Sequence, residues 1–317
     1  MKEIVIDGKK VLPGEHAQIN PLIARLPTRT PINIPVFVTR SKVEGPTLLV
    51  MAGMHGDETN GIEILRRFIA SKANVPKIGT VIAIPVFNVY GFINNSRALP
   101  DGKDLNRSFP GSKTGSLASR IAYFMSSQIL PLVDFGLDFH TGGASRTNFP
   151  QIRAAFELDA EKELAMVFGA PLLIKSPFRD KSLRKAAAKG GKAILVFEGG
   201  ETLRLRKQVV DSGYNGILRV MHHLGMREEA PELSEKPILI AESAWLRAKY
   251  AGMFHLSARN GTRIAKNQVL GYITGPYGQF EHKILAPNAG VIIGLNNFPV
   301  VNMGDALVHI GREVAAF

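Results

Sequence analysis

Residues 47–70 read TLLVMAGMHGDETNGIEILRRFIA: an apolar hexamer, a short glycine-bearing loop, then an amphipathic stretch. Thr47–Ala52 has the length and continuous apolar content of a strand covered on both faces. Ile62, Leu65 and Ile69 recur at helical spacing and predict the core face of a helix. A strand feeding a helix through Gly53–Glu58 places that loop at the carboxyl end of the strand, where open α/β sheets take their ligands. His55 and Glu58 are three apart, so on a first helical turn both side chains fall on one side, where an imidazole and a carboxylate can share one zinc ion. A loop histidine beside a glutamate favoured by the helix dipole would look the same in isolation, so the rest of the chain has to decide.

Outward from this unit, Thr80–Phe87, Phe135–Phe139 and Ala193–Glu198 also read as strands. Leu117, Ile121, Phe124 and Gln128 with Ile129, then Ile217, Met221 and Leu224, keep helical period. That alternation predicts an α/β fold, a mixed sheet flanked by helices. Lys2–Val11, with its Asp7-Gly8 turn, and Pro31–Arg40 read as peripheral strands. The polar, proline-bearing stretch Arg227–Pro237 reads as a linker. From Ile238 onward, short β-prone pieces separated by glycines carry no helix-length period, so residues 236–317 are expected to form a small all-β, barrel-like domain behind a catalytic domain over 1–235.

A third metal ligand is available in Asp138-Phe139-His140-Thr141-Gly142-Gly143, again a strand end running into a glycine loop. In a strand, Asp138 and His140 face the same way, which suits Asp138 to hold the imidazole of His140 from behind. Two His and one Glu with an open fourth position is the ligand set of a hydrolytic zinc site. Such a site needs a base. Glu198, ending its apolar strand, is the first candidate, and Glu201, past two glycines, the weaker one. Between the ligand segments lies the polar loop Ser96–Arg107. There Asn106 with Arg107 reads as a carboxylate clamp, while Arg97 is suited to the oxyanion formed when water adds to a carbonyl. Arg146 sits just after the third-ligand loop, where substrate contact and a surface role are equally open readings. His222, His223, His309, Trp245 and Phe280 read as packing or surface residues.

Composition narrows the classes. The 317 residues contain no cysteine, which excludes disulfides, thiolate metal sites and cysteine nucleophiles and fits a reducing compartment. The amino terminus MKEIVIDGKKV lacks the apolar run of a signal peptide, and no apolar run is long enough to span a bilayer, so a soluble cytoplasmic chain without membrane contact is expected. The net charge of +12 is diffuse, +4 over residues 236–317 and +8 before them, with no basic block. That distribution argues against nucleic acid and for a solvated surface or the steering of a small anionic molecule.

Taken in order, HGDE at 55–58, DLNR at 104–107, DFHTGG at 138–143 and Glu198 with its two glycines resemble the succinylglutamate desuccinylase and aspartoacylase family, relatives of the zinc carboxypeptidases. The resemblance covers nearly the whole chain. It implies that His55, Glu58 and His140 bind one zinc ion per chain and that Glu198 is general base and acid. It further implies that Arg97 polarises the carbonyl, that Asn106 and Arg107 grip a substrate carboxylate, and that Arg184 is a further substrate-binding residue. The expected activity is zinc-dependent hydrolysis of the amide of an N-acyl amino acid or related N-acylated amine. A carboxypeptidase and a catalytically silent ligand-binding relative are the rival readings. The tail, notably 286–292 and 299–305, resembles the family's β-rich carboxy-terminal domain and is reminiscent of a biotinyl or lipoyl carrier barrel. The hairpin at Asn296-Asn297-Phe298 lacks the carrier lysine, so a cap or a contact in a homo-oligomer is expected in place of a swinging arm.

Overall fold

All six residues of the strand Thr47–Ala52 are buried. Leu48, Val50 and Ala52 pack into one core with Ile64, Phe68 and Phe139, while Leu49 and Met51 enter another with Ile82, Ile121 and Met125. Successive strand side chains point to opposite faces, so a strand covered on both sides must be apolar throughout. The computed structural model describes residues 2–233 and 235–315. Ser234, in the linker, lies outside them.

The main sheet contains twelve strands. In chain order they are β1 (His16–Ile19), β2 (Val36–Arg40), β3 (Thr47–Ala52), β4 (Thr80–Ile84), β5 (Phe135–Gly142), β6 (Arg146–Ala154), β7 (Leu172–Lys175), β8 (Ala193–Glu201), β9 (Ile238–Arg247), β10 (Arg263–Ile264), β11 (Gly290–Asn296) and β12 (Ala306–Val314). Across the sheet the order is β10-β11-β12-β9-β7-β6-β8-β5-β3-β4-β2-β1. The centre β8-β5-β3-β4 is parallel, and β6 and β2 run antiparallel on either side of it. This is the mixed α/β sheet the alternation predicts. Helices α1 (Thr59–Ala70), α2 (Asp159–Phe168) and α3 (Lys207–His223) cover one face, their core built on Phe139, Phe168 and Phe197, whose ring centroids lie 5.4–6.3 Å apart. The helix Leu117–Phe124 and the hairpin Ile4–Val11 cover the other. Among the described residues, no helix is long and apolar enough to cross a membrane.

Boundaries differ from the sequence expectation for physical reasons. β4 stops at Ile84 because Pro85 has no N–H to give the ladder. β5 and β8 run past Phe139 and Glu198 into their glycines, with a register shift between Glu198 and Glu201. In α1 the buried stripe is Gly61, Ile64, Leu65 and Phe68, with Ile62 and Ile69 half-buried at its margins, because a helix packed against both the sheet and α3 buries a wider arc than one row.

The tail is less separate than its texture suggests. β9 joins β7 in parallel at Leu172↔Ile238, β12 and β11 follow antiparallel, and β11 returns to pair with β6 at Arg146↔Asn296. The tail thus extends the central sheet. A second sheet of Gly252–Leu256, Val269–Thr274, Glu281–Leu285 and Val300–Val301 completes a C-terminal β domain with its own core of Phe254, Leu270, Ile273, Ile292 and Leu307. Where the two parts meet, the Trp245 ring lies parallel to the His309 imidazole, centroids 4.8 Å apart. Burial, then the charges of Arg153 and Arg146, push His309 down to about 3. A histidine held neutral when folded but ordinary when unfolded costs stability below its unfolded pKa, because the unfolded chain then binds the extra proton. His309→Phe should therefore lose less stability than wild type between pH 7.5 and 5, by on the order of 1–2 kcal/mol in urea titrations. Parallel pH profiles would show that His309 carries no such burden.

Candidate active site

The loop after β3 is shaped by glycine. Gly53 adopts φ +64°, and a Cβ at Gly56 would lie 1.8 Å from the carbonyl carbon of Gly91, so only glycine lets the loop close against the helix Val89–Ile93. The loop closes through a Glu58 N–H to His55 carbonyl bond of 3.3 Å, and α1 begins only at Thr59, with Glu58 as its N-cap residue. The pair therefore precedes the helix instead of sitting on its first turn. That loop turn is what puts the two side chains on one side.

His55 Nδ1 lies 2.8 Å from Glu58 Oε1, and His140 Nδ1, delivered by the end of β5, lies 2.9 Å from Glu58 Oε2. One donor atom from each of the three residues falls within 4.8 Å of the others, and all three are buried. The far nitrogens are held from behind: His140 Nε2 by Asp138 Oδ2 at 2.9 Å and His55 Nε2 by Asp104 Oδ1 at 3.0 Å. A carboxylate behind each imidazole fixes its ring and leaves both Nδ1 atoms aimed at a common point, a donor arrangement that suits zinc. Burial alone would push the Glu58 carboxyl up, yet the charges of His55 and His140 hold it well below the usual carboxylate range. Burial likewise opposes the charge on the imidazoles, and the facing carboxylates outweigh it and raise both. This is a place built for positive charge.

Eight of the residues singled out from the sequence, His55, Glu58, Arg97, Asn106, Arg107, His140, Arg184 and Glu198, line one cavity of about 370 Å³ together with Arg146. Arg97 donates to Glu58 Oε1 at 3.0 Å and to Asp104 Oδ2 at 2.9 Å. Asn106 accepts the Leu183 N–H on its amide oxygen at 2.9 Å, and its NH₂ makes no hydrogen bond among the described residues. Arg107 donates to the Asn106 carbonyl, and Arg184, its guanidinium pushed down by burial, makes long contacts to the carbonyls of Arg153, Ser176 and Pro177. Glu198 stands beside His140 in the sheet register; it accepts from Asn148 Nδ2 and has Arg153 Nε 3.7 Å away. Glu201 is not brought to this cavity. Past the bulge it turns away, engaged by Thr147, Arg206 and Arg204.

Sequence reasoning missed Asp104, Asn148, Arg153, Arg179 and the wall formed by Trp245. Asp104 was visible as the first residue of DLNR, a carboxylate beside a clamp, but its imidazole lies 49 positions away. Trp245, expected to be a packing residue, lines the cavity because β9 continues the sheet across the linker. His222 and His223 stay at the surface, as expected, near Arg227 and Glu163.

Residues 44–224 match the model of the succinylglutamate desuccinylase/aspartoacylase catalytic domain. The N-alpha-acetyl-L-2,4-diaminobutyric acid deacetylase of Halomonas elongata is 30% identical over 301 residues, covering 89% of this chain and 86% of that protein. Among solved structures, a succinylglutamate desuccinylase/aspartoacylase from Rhodobacter sphaeroides is similar, with a TM-score of 0.83, 25% identity and coverage of 95% of this chain and 96% of its own. The product-bound ectoine utilization protein EutE (DoeB) from Ruegeria pomeroyi shares the fold at a TM-score of 0.83 and 24% identity, over 95% and 97% of the two chains. With the domain model spanning more than half of the sequence and a relative aligned along almost all of it, this chain belongs to the succinylglutamate desuccinylase/aspartoacylase family.

Proposed function

We propose that the chain is a zinc-dependent amidohydrolase that removes the acyl group from an N-acyl amino acid or a related N-acylated amine. The observation that carries the reading is the convergence of His55 Nδ1, a Glu58 oxygen and His140 Nδ1 within 4.8 Å, in the same cavity as Glu198. The deacetylase activity named for the Halomonas relative supports it. One zinc per chain, a small anionic substrate and a cytoplasmic location belong to the same proposal. So does the division into a catalytic domain over 1–235 and a second domain from 236 that walls the cavity through Trp245.

Held by His55, Glu58 and His140, a zinc ion would supply Lewis acidity toward a water and toward the amide carbonyl. The protein's own groups do the rest. Glu198 takes the proton of the attacking water and returns it to the leaving nitrogen, so the base of the first step is the acid of the second. Arg97, anchored by Asp104, lends its charge to the oxygen of the tetrahedral intermediate. The Asn106 amide and the Arg107 fork hold a substrate carboxylate, with Arg184 behind them, so that the amide is presented in one orientation.

Free-amine release from a panel of N-acetyl, N-succinyl and peptide substrates, with zinc-loaded and chelator-treated protein, tests the reading. Release from N-acyl amino acids that stops with chelation and returns with zinc is the expected result. Release from peptides alone would make the chain a carboxypeptidase.

A further inference from the structure

The diffuse net charge of the chain hides one local density: residues 181–192, KSLRKAAAKGGK, hold five basic side chains and no acidic one. Lys185 and Lys189 are four apart along the helix Leu183–Ala188 and its C-cap, so they share a side. Lys181 stands with them, because the Asp180 carboxyl is held below the usual carboxylate range by Lys185 first and then by the charges of Lys181 and Lys189. Together they border a cleft of about 580 Å³, distinct from the catalytic cavity. Its apolar lining is Phe109, Pro110, Leu130, Pro131, Ala186 and Ala187, and Lys192 completes a set of four lysines against one acid, Asp180. Lys185 pairs with Asp180, and Lys192 lies 4.0 Å from Asp134. The ammonium groups of Lys181 and Lys189 have no hydrogen-bond or ion-pair partner among the described residues.

An apolar hollow of this size is suited to a small molecule, whereas a flat membrane or protein surface would make no use of its depth. Cations around apolar carbon call for an occupant with the complementary arrangement, an alkyl or aryl body carrying one anionic head. The cleft also backs onto the catalytic cavity. Ser182 lines both, while Arg184 belongs to the cavity and Lys185 and Ala186 to the cleft. Two bonds strap this segment to the loop of Asn106 and Arg107: the Phe109 N–H donates to the Lys181 carbonyl at 3.1 Å, and the Leu183 N–H to the Asn106 amide oxygen at 2.9 Å. We propose that the cleft is an effector site for a small amphipathic carboxylate, which by filling it holds segment 181–187 and the Asn106-Arg107 loop in the arrangement that grips substrate. A ligand that fits one arrangement stabilises it, and by linkage effector and substrate then tighten each other. The effect on substrate rests on the deacylase reading; the binding site does not.

Octanoate, its neutral amide and acetate separate the parts of this claim. In calorimetric titrations of the zinc-loaded protein, octanoate should bind at one site per chain, octanamide roughly 3- to 10-fold more weakly because the lysines stand in water, and acetate not measurably. Lys181→Glu combined with Lys189→Glu should erase the preference for octanoate while leaving basal hydrolysis little changed. Ala186→Phe, which fills the cleft, should remove the binding of octanoate and octanamide alike. In hydrolysis of an N-acyl amino acid, octanoate should lower KM by about fivefold or more with kcat nearly unchanged, and the double charge reversal should abolish the effect. Equal affinity for octanoate and octanamide in wild type, or octanoate binding that survives Ala186→Phe, overturns the assignment. A rise in KM places octanoate in the catalytic cavity and overturns it too, and binding with KM unmoved overturns the effector role. Sedimentation with phosphatidylglycerol vesicles and no binding of octanoate would make the lysines a membrane contact, which also overturns it. Octanoate binding that Ala186→Phe removes, in protein that releases amine from no acyl amino acid, keeps the site and removes the deacylase reading.

Discussion

His55→Ala should bring the zinc content of the purified protein from the proposed one ion per chain to near zero and lower amide hydrolysis by roughly 10³-fold or more, since the metal of such a site supplies several kcal/mol of transition-state stabilisation. His140→Ala should do the same to metal and rate, but the two variants should differ in stability. Asp104 keeps Arg97 and the Asn106 N–H when His55 is gone, so its charge stays compensated. Asp138 is fully buried, and its Oδ1 already has no partner among the described residues. Removing His140 leaves its Oδ2 unpaired as well, at a cost of about 1–3 kcal/mol. His55→Ala is therefore the clean metal test and His140→Ala the compound one. Elemental analysis that finds full occupancy in both would remove these residues from the ligand set, and the hydrolytic reading with them.

The candidate ligand residues were legible because each lies where a sequence rule is strong. An apolar strand followed by a glycine loop marks the carboxyl end of a parallel strand, and β3, β5 and β8 all end in this way beside one another. Side chains at those ends converge whatever the loops between them do. Arg97 and the Asn106-Arg107 pair were found as motif members, and the structure adds what no motif states: the Asn106 oxygen accepts the Leu183 N–H, which ties the clamp loop to the start of the helix Leu183–Ala188. Asp104 was passed over because a second carboxylate behind an imidazole is defined by a contact across 49 residues. The glycine-broken texture of the tail marks a C-terminal β domain, which the structure has, but not the strands that the tail adds to the central sheet. Texture reports local period, and nothing local in Ile238–Arg247 says that its neighbours are β7 on one side and β12 on the other. That same strand brings Trp245 to the cavity, which is why an apparent packing residue became part of the wall.

Glu198→Gln should keep its zinc and lose roughly 10²-fold or more in kcat, with KM nearly unchanged. The amide has nearly the shape of the carboxylate and offers an oxygen to Asn148 as before, so the site stays assembled. What it cannot do is accept a proton and hand it back. The comparison that gives the result its force is Glu201→Gln. Glu201 lies three residues on and is also largely buried, but it faces Thr147, Arg206 and Arg204 across the bulge, where its charge holds a loop together. Losing that charge costs on the order of 1 kcal/mol, given that the arginines are half-exposed and screened, and leaves turnover within a few-fold. The two carboxylates are thus separated by readout, one in kcat at constant metal and the other in melting temperature at constant kcat. If Glu201→Gln silenced the enzyme while Glu198→Gln turned over, the proton would have to travel from a group on the far side of the bulge. The register that sets Glu198 beside His140 would then have no part in the chemistry.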